Sequence, residues 1–425
     1  MTTLIVTIFV IGYFAIALEH YIKVNKTATA ILTGVLCWTV YVLASPDKHE
    51  ITRQLLEHVG DFSGILFFLL GAMTIVELID AHDGFDLITS RIGVKSKRSL
   101  LWVITWIAFF MSSILDNLTT SIVMVSLLSK FKMEKEERLL FASMIVIAAN
   151  AGGAWTTIGD VTTTMLWIAG RITSLEIMKM AFIPSILNAL VPLVIISFWI
   201  KGNLDRTETK NSSAPKTPAW ERNTVLILGL GGLLSVPVFK SLTELPPFMG
   251  MILALSVLWI FTEFMHSKKS DEQKEAYSIV QALRNIDLAS VLFFLGILTC
   301  IAALQSIGQL GSWATYLNTT LKNPLLIDTA IGLLSAIVDN VPLVAGTIGM
   351  YTLDQFPVNH QFWGYLSYCA GTGGSILIIG SAAGVATMGL VKIDFMWYMK
   401  RIAPPALAGY FVGALFYAIL EPILR

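Results

Sequence analysis

SSILDNLTTS, Ser112 to Ser121, stands between LLWVITWIAFFM and IVMVSLL, and the basic residues nearest to its Asp-Asn pair are Arg98 and Lys130. A carboxylate in the hydrocarbon core of a bilayer costs roughly 2.5 kcal/mol or more, and such residues are rare unless they line a polar cavity or pair with something. The same pair returns in SAIVDNVPLV, at Asp339-Asn340, inside a second apolar run. Two acids in matched apolar surroundings point to a built site and decide how the runs around them are read.

Apolar runs near the roughly 20 residues that a bilayer requires fall at 3-18, 27-44, 62-80, 139-170, 180-200, 223-239, 247-266, 288-306, 361-390 and 402-421, which gives ten expected crossings. The runs 100-129 and 325-351 are too long for one span and too short for two. Both read as re-entrant helical hairpins with Asp-Asn at the tip, because irregular backbone survives at membrane depth only where it faces protein or water.

Composition supports this class. The chain has 425 residues, 55% hydrophobic and 14% charged, with mean hydropathy +0.72, which marks an all-α polytopic membrane protein whose first partner is the lipid bilayer. The net charge is zero, with no basic block or acidic tail, so nucleic acid is not an expected partner. Cys37, Cys300 and Cys369 have no ligand-like spacing and read as buried thiols, so neither a disulfide nor a cofactor is expected. The N-terminus lacks a basic n-region and a small-residue cleavage site, and reads as a retained span.

If both hairpins return to the side they entered, 22 of the 29 basic residues fall on one side and seven on the other. The first side is then cytoplasmic, with both termini on the opposite, periplasmic side of a bacterial inner membrane. No Lys or Arg is left inside the membrane in this layout, and the loops 201-222 and 267-286 specify no partner.

The sequence also repeats itself. DFSGILFFLLG (61-71) resembles DLASVLFFLG (287-296), SSILDN (112-117) resembles LSAIVDN (334-340), and GGAWTTIGD (152-160) aligns without a gap to GGSILIIGS (373-381), at offsets of 226, 223 and 221. An odd number of crossings separates the copies, so they have opposite orientation, an architecture that places a substrate site near the midplane between the repeats. The expected division is 1-60, N-terminal scaffold spans; 61-200, first repeat with hairpin 100-129 and broken helix 139-170; 201-286, linking loops and spans; and 287-425, second repeat with hairpin 325-351 and broken helix 361-390.

The broken helices are named by their glycines. LFASMIVIAANAGGAWTTIGDVTTTMLWIAG carries Asn150, Gly152, Gly153, Gly159 and Asp160; its counterpart YCAGTGGSILIIGSAAGVATMG carries Gly371, Gly373, Gly374 and Gly380, with Ser381 in place of Asp160. Glycine weakens a helix by about 1 kcal/mol relative to Ala and lets the backbone open, freeing carbonyls as ligands.

A small hard cation is held by carboxylate, amide, hydroxyl and carbonyl oxygens. Asp116, Asn117, Asn150, Asp160 and Thr162 supply these in one half; Asp339, Asn340, Thr372, Ser375 and Ser381 supply them in the other. The sodium set is expected at Asp116, Asn117, Asn150 and Asp160, extended to Asp339, Asn340 and Ser375. Burial raises a carboxylate's proton affinity and a bound cation opposes it, so proton and cation compete for one oxygen, which is the logic of antiport. Bland readings apply elsewhere. Asp61 and Asp287 are expected as helix N-caps; Glu77, Asp80, Glu263 and Asp328 as interfacial; and His20, His58, His82 and His360 have no evident partner.

LDNLTT, ANAGGAWTTIGDVTT, VDNVPL and GTGGSILIIGSAAG resemble the signature segments of the NhaD-type sodium/proton antiporters, within the ion transporter superfamily that also holds arsenite and dicarboxylate carriers. The resemblance covers about residue 60 to the end. It implies exchange of internal sodium or lithium for external protons, two hairpins and two broken helices per protomer, and a homodimer. It also implies functional roles at Asp116, Asn117, Asn150, Asp160, Thr162, Asp339, Asn340 and Ser375. The superfamily's dicarboxylate carriers have neutral Ser-Asn-Thr tips where this chain has Asp-Asn. Alternatives are an arsenite or organic-anion carrier, an intramembrane aspartyl hydrolase and a cation channel; no Ser-His or metal-ligand cluster supports the hydrolase, and a channel would need no pH gradient.

Overall fold

The computed structural model describes residues 1-17, 19-85, 87, 94, 96-128, 131-203, 205-206, 217-267, 269-270, 274-275 and 277-424. Among the expected loop residues, Arg91, Lys95, Lys130, Lys210, Lys216, Lys268 and Arg425 lie outside the described residues, as does the side chain of His20. The chain begins with α1 (Thr2–Ala17), α2 (Glu19–Ile22), α3 (Lys26–Ala44) and the long α4 (Lys48–Ala81). Then come α5 (Lys97–Leu115), α6 (Asn117–Leu128), β1 (Phe131–Lys132), α7 (Lys135–Gly153), α8 (Val161–Ile168), α9 (Ser174–Ser197), β2 (Asp205–Arg206), α10 (Ala219–Thr243), α11 (Pro247–His266) and α12 (Ile279–Asn285). The last part comprises α13 (Leu288–Ser306), α14 (Gln309–Leu321), α15 (Pro324–Leu334), α16 (Asn340–Met350), α17 (Gln361–Gly373), α18 (Ala382–Val391), α19 (Phe395–Arg401) and α20 (Ala403–Leu424).

Among the described residues seven helices are long and apolar enough to cross a membrane, and α19 with α20, bent by 52°, makes an eighth. The chain is a multi-pass, helical membrane protein. The count is below the ten expected crossings for physical reasons. With 16 residues, α1 is short, and two expected spans are each broken into halves, α7 with α8 and α17 with α18. The 19-residue α5, expected as a hairpin arm, is itself of span length.

Both Asp-Asn pairs sit at breaks between helices. A single residue, Asp116 with φ +104°, separates α5 from α6. That backbone region is costly for a residue with a Cβ, and the Asp116 carboxylate holds the turn by accepting from Thr119 N and Thr119 Oγ1, both at 2.8 Å. The outer ends of α5 and α6 meet the same short segment: Ser96 pairs with Asn203, Lys97 N donates to Gly202 O, and β1 pairs antiparallel with β2. In the second half Tyr351, just past α16, donates to Asn318 Oδ1 (3.2 Å), inside α14. The ends of α5 and α6 away from Asp116 therefore lie close together, and the end of α16 is tied to α14.

Polar contacts between elements sort into two sets. Lys97 with Glu137, Arg98 with Ser197 O, Thr217 with Asp83 and Asn285 with Glu77 join ends on the side rich in basic residues. His58 with Ser306, Thr173 with Asn359, Lys240 with Trp167 O and Tyr417 with Gln361 O join the opposite ends.

The repeat extends to packing. A Cβ on Gly152 would overlap the Phe109 carbonyl, and one on Gly373 would overlap the Gly332 carbonyl, the same pair of positions in each copy. Ser112 Oγ donates to Ala149 O (2.6 Å), and its counterpart Ser335 Oγ donates to Ala370 O (2.9 Å). The halves also cross over, α6 packing on α18 and α16 on α8.

Several expectations are corrected. Asp61 caps nothing: it lies inside α4, whose N-cap is Asp47, because the polar stretch 48-60 continues the helix beyond the apolar run. Asp287 does cap α13, accepting from Ser290 N. Asp328, expected at an interface, is fully buried, and neither of its oxygens has a hydrogen-bond partner among the described residues. The histidines do have neighbours. His58 bonds Ser306; His360 Nδ1 accepts from Phe362 N; and His82 stacks on His266 with ring centroids 5.1 Å apart. Lys26, expected as a loop residue, carries its ammonium from the first turn of α3 to Asp339 of the second Asp-Asn pair.

Candidate functional site

Breaking α7 and α17 creates two half-helix N-termini inside the protein. Asp160 caps α8, its Oδ1 accepting from Thr162 N (2.9 Å) and Thr162 Oγ1 (2.8 Å). Ser381 caps α18, accepting from Gly384 N (3.2 Å). An N-cap of this kind satisfies otherwise orphaned donors, and the helix dipole favours negative charge at Asp160.

The two Asp-Asn pairs bring amides to the same point. Asn117 Nδ2 donates to Asp160 Oδ2 (2.8 Å) and to Asn150 Oδ1 (2.9 Å), while Asn340 Nδ2 stands 3.5 Å from the same Asp160 oxygen. Asn150 Nδ2 in turn donates to Ser381 Oγ (2.9 Å). One network thus links both Asp-Asn segments and both broken helices. Its members are almost fully buried: Asp160 is 2% exposed, Asn150 0% and Ser381 1%. Among the described residues Asp160 has no ion-pair partner. Its charge is offset only by dipoles, an arrangement that suits a carboxylate exchanging a proton for a cation. Turning the Asn117 or Asn340 amide over would present oxygen in place of nitrogen without moving the backbone.

Not every expected residue joins this cluster. Asp116 turns to its own Thr119 and, with Asn117, borders a cavity of about 70 Å³ lined by Phe68, Ala72, Thr164 and Ser290, with room for several water-sized occupants. Asp339 Oδ1 accepts from Val341 N (3.2 Å), and its Oδ2 lies 3.5 Å from Lys26 Nζ. Thr372 and Ser375 donate to backbone carbonyls of their own segment, Tyr368 O and Thr372 O. Tyr398 donates to the Ser375 carbonyl, so that stretch of opened backbone is already engaged.

Sequence reasoning missed Lys26, Thr119 and Asp328. Thr119 was legible as the third residue after an Asp at a helix start, the position that an N-cap side chain reaches. Lys26 was hidden by its place at the edge of an apolar run, where a lysine counts as a loop residue whichever way its side chain points.

The family model described as "Citrate transporter" matches residues 13-363. A protein named "Sodium/proton antiporter 1" from Arabidopsis thaliana is 48% identical over 410 residues, covering 96% of this chain and 71% of that protein. "Sodium/proton antiporter 2" from the same plant is 45% identical over 417 residues, covering 96% of this chain and 97% of that protein. "Na(+)/H(+) antiporter NhaD" of Vibrio cholerae serotype O1 is 33% identical over 445 residues, covering 97% of this chain and 91% of that protein.

Proposed function

We propose, from the premise that the chain belongs to the citrate transporter family, that it is a secondary active exchanger of sodium for protons. It is a transporter and not an enzyme. The observation that carries the proposal is the convergence on Asp160: both hairpin amides and, through Asn150, the second broken helix reach a buried carboxylate with no ion-pair partner among the described residues. A citrate anion would meet an acid there. The relatives named as sodium/proton antiporters support the same reading.

In this mechanism a proton leaving Asp160 makes room for sodium. Asp160, Thr162, Asn150 and the amides of Asn117 and Asn340 turn oxygen toward the ion, and Asp116 draws the ion in through the cavity beside the first tip. Because proton and sodium neutralise the same carboxylate, the loaded states are closer in charge than the empty one. Movement of the hairpin-bearing repeats, 61-200 and 287-425, against the remaining spans then carries either load across. The reading extends to lithium as a second substrate, to a homodimer, and to an energised bacterial inner membrane with both termini outside. Support for these comes from the resemblance to NhaD-type proteins and from the asymmetry of basic residues.

Everted vesicles with an acid interior and a pH-sensitive dye test it. Addition of sodium or lithium should alkalinise the interior, citrate should not, and Asp160→Asn should abolish the response. Citrate uptake with no cation response would overturn the proposal.

A further inference from the structure

The two hairpin tips carry the same Asp-Asn pair, yet among the described residues only one has a cation of the protein's own. Lys26 Nζ lies 3.5 Å from Asp339 Oδ2 and 4.6 Å from the ring centre of Phe293, where ring quadrupole and carboxylate both favour positive charge. The Lys26 and Asp339 side chains are only 21% and 13% exposed, and both border a cavity of about 90 Å³ with Tyr13 and Glu19. The start of α3 is anchored there, since Lys26 N donates to Glu19 Oε1 (3.0 Å). At the first tip Asp116 borders a comparable cavity, and its hydrogen-bond partners are a hydroxyl and a backbone N–H of Thr119. Lys26 belongs to α3, outside both copies of the repeat, so the asymmetry is imposed on the second tip from elsewhere in the chain.

The geometry points to Lys26 as a tethered cation that occupies the alkali-cation position of the second hairpin tip, so that each protomer takes up sodium at the Asp116-Asp160 side alone. This deepens the sodium-exchange reading and rests on it. Two ammonium or alkali charges cannot share one carboxylate in a confined site without strong mutual repulsion. Removing the ammonium leaves the half-buried Asp339 carboxylate without its countercharge, beside a cavity with room for an ion.

Equilibrium binding of radioactive sodium to the purified full chain at alkaline pH tests the inference. Wild type should bind one ion per protomer, Lys26→Arg one, and Lys26→Met two, a doubling that Asp339→Asn placed in the Lys26→Met chain should reverse. Should Lys26→Met fail to fold, Lys26→Gln, which is also neutral, is counted in its place with the same expectation. Two ions on wild type, or one ion on a folded neutral variant, would overturn the inference while leaving sodium exchange standing. Wild type that binds no sodium would overturn the exchange reading and this inference with it.

Discussion

Asp116 and Asp339 occupy the same place in two copies of one pattern and meet different partners. Asp116 serves its own turn and borders a cavity, whereas Asp339 faces a lysine. The centre of the molecule shows a second such difference: α8 is capped by a carboxylate, Asp160, and its counterpart α18 by a hydroxyl, Ser381. The backbone relation between the halves is tight, because glycines and serines make the same contacts at the same offsets. The two halves thus agree in where the helices break and approach, and differ in charge. In the proposed exchange, this inequality gives Asp160 the proton-exchanging role and leaves Ser381 to support it.

The largest expected effect separates the two caps. Asp160→Asn should lower sodium-driven proton movement in vesicles by roughly 100-fold, the scale expected for losing a buried charged ligand, whereas Ser381→Ala should cost only a few-fold. Equal losses would break the asymmetry. Next come the glycines, where the halves should behave alike. Gly152→Ala and Gly373→Ala each push a methyl group into a backbone carbonyl, and each should destabilise the purified protein by roughly 3 kcal/mol or more, read as thermal unfolding in detergent. A tolerant member of the pair would mean that the two break points are not equivalent.

Unequal effects are expected again at the tip amides. Asn117 makes two short bonds into the cluster and Asn340 one at 3.5 Å. Asn117→Ala should therefore raise the sodium concentration for half-maximal exchange about tenfold and Asn340→Ala about twofold. The smallest effect lies away from the tips. Burial pushes the His82 imidazole down to about 4, while its counterpart at the repeat offset of 226, Gly308, has no side chain. A histidine held neutral contributes stability above its ordinary range near 6.5 that is lost as pH falls toward 4. Wild type should lose about 1 kcal/mol between about pH 7 and pH 6, and His82→Gln should flatten that slope.

Much of this was legible in the sequence because the signals are local. Glycine clusters mark the breaks at 154-160 and 374-381, and each Asp-Asn pair in an apolar run marks a break between two helices. Asn150, two residues before Gly152, was legible as part of the opened segment that ends at Asp160. Long-range partners were not legible. Nothing in KVNKTATA says that the second of its lysines reaches a residue 313 positions away, and Asp328, five residues into α15, reads as interfacial until packing buries it. The end of α4 misled for a related reason: 48-60 is too polar to count as membrane, yet it remains helical and carries Asp61 to the wall of a cavity with His58 and Arg171.

The central claim is that proton and sodium compete for Asp160, and calorimetric titration of sodium into the purified protein in buffers of different ionisation enthalpy measures it directly. Competition requires that binding release protons at pH values where Asp160 is protonated beforehand, that the number released fall as pH rises, and that Asp160→Asn lose both the heat and the release. Sodium binding with no proton release at any pH, or undiminished binding to Asp160→Asn, would contradict it.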